Sequence, residues 1–116
     1  MDTTIELFVE PCAIVVDVSD EIAALCDAFL IPSGLHVHRV THAYAAFERI
    51  AALLPRLVVV PAAMRPRDLA MIEDRAAAVG AVLLHLDSDH GNELLAAQLE
   101  LTVQDLEVAY GSRRSS

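Results

Sequence analysis

Four short apolar runs alternate with four stretches of helical periodicity, and this alternation constrains the fold of the chain more than any other feature. Cys12-Ala13-Ile14-Val15-Val16 and Leu57-Val58-Val59-Val60 are β-branched runs of strand length that read as strands buried on both faces. Residues 35–40 alternate apolar and polar positions around His36 and His38, which suits a strand nearer a sheet edge, and residues 81–86 supply a fourth strand. Between them, spacings of three and four mark helices: Ile22, Leu25, Cys26 and Phe29; then Tyr44, Phe47, Ile50 or Ala51, and Leu54; then Leu69, Ile72, Ala76 and Val79. Asn92 to Tyr110 reads as one long helix. The boundaries are punctuated: Ser19 is a capping residue followed by Asp20 and Glu21, Pro55 closes the second helix, and Gly80 and Gly111 are C-terminal stops.

Strand and helix in turn imply βαβ units. Right-handed crossovers then give an α/β fold: a three-layer α/β/α domain on a parallel sheet of about four to five strands, closed by the long C-terminal helix. Residues 1–111 are expected to form this single domain. Residues 1–11, where Ile5, Leu7 and Val9 alternate with Glu6, Phe8 and Glu10, are an N-terminal arm or edge strand, residues 92–110 the last helix, and residues 112–116 a disordered tail. Leu106-Glu107-Val108-Ala109-Tyr110 is the one segment with the makings of a fifth strand, but it continues the helical spacing better. Ligands of such sheets bind beyond the carboxyl ends of the strands, which directs attention to residues 17–20, 41–43, 61–66 and 85–91.

The formal net charge of −9 disfavours nucleic acid and anionic membranes as partners. No apolar run has the roughly 18–20 residues of a membrane span, and the acidic first residues lack the pattern of a signal peptide, so a cytoplasmic location is expected. Cys12 and Cys26 lie in apolar surroundings and read as small buried thiols. There is no glycine-rich phosphate loop, no Gly-x-Ser-x-Gly and no Cys-x-x-Cys, and no cofactor is expected.

Two segments carry a resemblance. Val15-Val16-Asp17-Val18-Ser19-Asp20-Glu21-Ile22 and Leu57-Val58-Val59-Val60-Pro61-Ala62-Ala63-Met64-Arg65-Pro66, together with the order of elements over roughly residues 12–86, resemble the receiver domain of two-component response regulators, a flavodoxin-like fold. The resemblance implies a degenerate phosphorylation pocket at Asp17, Val18, Pro61 and His85. Asp17 falls on one metal-binding acidic position and Val18 takes the place of its partner. Pro61 stands where the family has its phosphoacceptor aspartate, and His85 or Leu86 where it has Ser or Thr. All eight basic residues are arginine, so the family's lysine is missing as well. Phosphoryl transfer needs metal and fixed cations to neutralise charge, and what the resemblance implies is a pseudo-receiver without that chemistry.

Other clusters are weaker. His36 and His38 share a strand face and His42 follows, but no Cys or carboxylate is near in sequence, and no metal site is assigned. His85 to His90, with Asp87 and Asp89, reads as a polar loop leading into the last helix, and Arg65 and Arg67 beside Pro66 read as a solvated helix start. The last helix is different. Leu95, Leu99, Thr102, Leu106 and Ala109 form one seam, and Leu94, Leu101 and Val108, with Ala97 nearby, form a second apolar stripe available to another chain. The expected function is a phosphorylation-independent, non-enzymatic adaptor of bacterial signalling that binds another signalling protein, with a homodimer through the C-terminal helix as one form of that contact. A STAS-like regulatory domain is the alternative that strand order would separate, since a receiver sheet is all parallel. A small enzyme pairing Asp17 with His85 or His90 as acid and base is the other.

Overall fold

The computed structural model describes residues 10–110, so most of the N-terminal arm and the tail lie outside the described residues. Eight elements follow in strict alternation: β1 (Cys12–Val16), α1 (Asp20–Leu30), β2 (His36–Val40), α2 (Ala43–Leu53), β3 (Leu57–Pro61), α3 (Pro66–Val79), β4 (Val82–Leu86) and α4 (Asn92–Tyr110). The strands form one sheet in the order β2-β1-β3-β4, with every neighbouring pair parallel. Helices cover both faces, which is the three-layer flavodoxin-like arrangement.

The layers follow from the side-chain alternation of the two central strands. Ala13 and Val15 of β1 with Leu57 and Val59 of β3 face α1 and α4, where Ile22, Cys26, Leu30, Leu95, Leu99 and Leu106 meet them. Ile14 and Val16 with Val58 and Val60 face the other way, onto Ala46 and Ile50 of α2 and Ile72 and Ala76 of α3. A strand covered on both sides must be apolar at every position, which is why β1 and β3 have unbroken Ala, Ile, Leu and Val character. β2 and β4 are the two edges and are only partly buried.

Several expectations need correction. Pro61 is the last residue of β3, paired with Leu86, and not the first residue of the loop; a proline is tolerated there because the ladder ends with it. The segment 106–110, by contrast, is the end of α4 as its helical spacing indicates, and the sheet has four strands among the described residues. On α2 the buried residues are Ala46 and Ile50, whereas Tyr44 and Leu54 are largely exposed. Small Ala46 lets the helix approach the sheet closely. The aromatic stripe turns instead toward α3, where Tyr44 stacks on Phe47 at 6.3 Å and the Arg75 guanidinium lies 3.9 Å from the Phe47 ring centre. Ala109, placed on the core seam of α4, is exposed.

Three of the helix ends match their residues closely. Ser19 Oγ accepts from Ile22 N–H at 3.2 Å, His42 Nδ1 accepts from Ala45 N–H at 3.3 Å, and Gly80, at φ 76°, closes α3 with N–H bonds to Ala76 and Ala77 carbonyls. Leu54 ends α2 in the same left-handed conformation, at φ 50°, but carries a side chain that makes it costly. Leu54→Gly is therefore expected to raise stability by about 1 kcal/mol in urea unfolding. An unchanged or lower midpoint would show that the exposed leucine contributes more than the strain removes.

Candidate functional site

Parallel pairing brings the carboxyl ends of all four strands to one end of the sheet, and Asp17, Pro61 and His85 arrive there together. Asp17 follows β1 in a left-handed conformation, at φ 47°, and its N–H bonds to the Val40 carbonyl at 2.8 Å, tying the end of β1 to that of β2. Its side chain is exposed. Val18 turns inward against the α1 and α4 core. Pro61 offers neither a carboxylate nor an N–H donor. His85 points to the α3 side, with Nε2 4.0 Å from Glu73.

The acidic residues near Asp17 are divided. Asp20 meets Arg39 of β2 at 2.8 Å, a contact not legible in the sequence because it joins residues on different elements. Both groups are well exposed, so the pair is worth at most about 1 kcal/mol. The loop before α4 is closed on itself: Asp87 Oδ1 accepts from Asp89 N–H at 2.9 Å, His90 Nε2 lies 3.9 Å from Asp87, and the Gly91 carbonyl accepts from Leu94 and Leu95. With His85 against Glu73 and His90 against Asp87, neither imidazole is engaged by Asp17. His36 Nε2 lies 3.4 Å from Glu10, and His42 is used as a cap. No group of three or more His, Cys, Asp or Glu that could hold a metal ion occurs among the described residues.

A shallow cleft of about 310 Å³, lined by Ile31, Gly34, Leu35, His36 and Val37, lies at the start of β2 and away from the strand carboxyl ends. Both cysteines are buried and free. Burial pushes the Cys12 thiol up, against the opposing pull of Arg56, and burial beside Asp27 pushes Cys26 to about 11. Neither is a thiolate near neutral pH, so neither is an activated nucleophile.

The face of α4 turned away from the sheet is the other candidate. Leu95, Leu99, Thr102 and Leu106 are buried, with Thr102 Oγ1 donating to the Gln98 carbonyl at 2.8 Å. Leu94, Leu101 and Val108 are 48%, 61% and 80% exposed, and Ala97 is exposed between them. Spaced 3-4-3-4 through Gln104, these positions line a single straight stripe of about 21 Å, at 1.5 Å per residue. No helix among the described residues is long and apolar enough to cross a membrane.

No protein-family model matches this chain, and no curated protein matches its sequence.

Proposed function

We propose that this protein is a phosphorylation-independent pseudo-receiver that acts as a regulatory adaptor, binding another signalling protein in the cytoplasm through the outer face of α4. The observation that carries this reading is the exposure of Leu94, Leu101 and Val108 on a helix whose opposite side already fills the core. Three large apolar side chains in one line leave an apolar strip that packing among the described residues does not use. The strand ends support the same reading from the other direction. Pro61 has no carboxylate to phosphorylate, the chain has no lysine, and Asp17 stands without a second acidic residue at position 18. The all-parallel sheet is the order expected of a receiver rather than of the STAS-like alternative. His85 and His90 lie nearest Glu73 and Asp87 rather than Asp17, which favours this reading over the acid–base alternative.

The test is capture of partners from native lysate with the whole chain and with Leu94→Gln/Leu101→Gln/Val108→Gln, followed by titration of the purified captured protein. The variant is expected to keep its circular dichroism and unfolding midpoint and to lose at least tenfold in affinity. Equal affinity would move the interface elsewhere and end the reading.

A further inference from the structure

The charges around the stripe specify its partner. Helices α1 and α4 form one outer layer of the protein, and neither contains a basic residue. α1 contributes Glu21 and Asp27, with Asp20 paired to Arg39 of β2, and α4 contributes Glu93, Glu100, Asp105 and Glu107. The opposite layer is mixed: α2 has Glu48 beside Arg49, and α3 carries Arg67 and Arg75 among its acids. The negative charge is therefore concentrated on the side that bears the apolar stripe. Glu93, Glu100 and Glu107 each precede a stripe residue and follow one flank of it. Asp105, four residues after Leu101 and three before Val108, lies on the other. All four are exposed.

We propose that the stripe receives a basic amphipathic helix of another protein, with apolar side chains on Leu94, Leu101 and Val108 and Lys or Arg side chains on the flanking carboxylates. This rests on the reading of α4 as the docking face and adds the chemistry of the partner. The straight stripe of about 21 Å matches roughly fourteen residues of a helix lying alongside. A second copy of the chain has the right spacing and the wrong charges. Pairing α4 with itself, in either direction, sets carboxylates against carboxylates with no base in either helix, and such like-charge contacts select against a partner.

The probe is a designed fifteen-residue helical peptide with leucine on one face and lysine on its flanks, titrated into the isotope-labelled full chain. A counterpart with glutamate on the flanks serves as control. The lysine peptide is expected to bind at least tenfold tighter than the glutamate peptide, to shift α4 amides, and to weaken about tenfold as salt rises from about 0.05 to 0.5 M. Glu93→Gln/Glu100→Gln/Glu107→Gln is expected to weaken it about tenfold, whereas Glu48→Gln/Asp74→Gln on the opposite layer leaves it unchanged. Equal binding of both peptides, shifts away from α4, or equal losses in the two charge variants would overturn the proposal. So would a stable dimer of the chain that the Leu94→Gln/Leu101→Gln/Val108→Gln variant dissociates, which would leave α4 as a docking face but make its occupant a second copy. Loss of the α4 reading itself shows differently, as unchanged native-partner affinity in that same variant.

Discussion

Leu99→Ala is expected to cost about 3–5 kcal/mol, while Leu101→Ala, two residues away on the same helix, changes stability by less than about 0.5 kcal/mol. Leu99 is fully buried between α4 and the sheet, in contact with a cluster that includes Leu57, Val59, Leu86 and Leu95. Truncation removes three carbons' worth of burial and leaves a cavity that close-packed neighbours cannot fill. Leu101 projects from the other side of the helix and is 61% exposed. Its loss removes little from the core, and its helix propensity is replaced by that of alanine. Domains of this size are stable by about 5–15 kcal/mol, so the first variant is expected to fold marginally and the second normally. Urea unfolding followed by circular dichroism reads both. Similar losses at the two sites would mean that the outer stripe of α4 is packed in solution, and the docking reading would fall with it.

The second large effect is a fall in stability at high pH centred on Cys26. This thiol titrates near 9.0 when free of its surroundings and is pushed up to about 11 by burial first and by the Asp27 charge second. Below pH 9 both folded and unfolded chains hold the proton, and the group adds no pH dependence. Between pH 9 and 11 the unfolded chain releases it while the folded chain keeps it, so unfolding becomes progressively favoured. Two pH units correspond to about 2–3 kcal/mol, complete once the folded thiol also ionises. Cys12, raised in the same direction by its own burial, adds to the trend. Cys26→Ala is expected to flatten the decline between pH 8.5 and 11 by that amount, whatever it costs at neutral pH. Parallel curves for the two proteins would place the alkaline sensitivity in other groups.

Much of the fold was legible because the central strands leave the sequence no freedom. Cys12 to Val16 and Leu57 to Val60 have no polar position, as double coverage requires, and Ser19 and Gly80 are the residues that the start of α1 and the end of α3 need. The helices on the outside were harder to read. In α2 the large Tyr44, and Leu54 at its C-cap, lie off the core, because alanine spacing sets how closely the helix can approach. Hydrophobic periodicity ranks side chains by size and cannot weigh a small residue that permits close packing. The site divides in the same way. The exposed stripe was visible from spacing alone, since α4 has more apolar positions than one core seam can use. The one-sided charge of the α1 and α4 layer was not, because those helices are separated by most of the chain and meet only across the fold. Nor was the tie of Asp20 to Arg39, for the same reason.

The strand order carries a kinetic consequence. Each strand pairs only with partners reached through a whole helix, and the two central strands are the pair most widely separated in sequence: Ala13 waits for Leu57, with α1, β2 and α2 between them. Until that ladder forms, neither apolar face of β1 has its full cover, and the loops that must close carry their entropy cost in advance of any reward. Folding is thereby expected to depend on long-range search more than on local helix formation, with the meeting of β1 and β3, two short strands that on their own hold nothing in place, as its slow event.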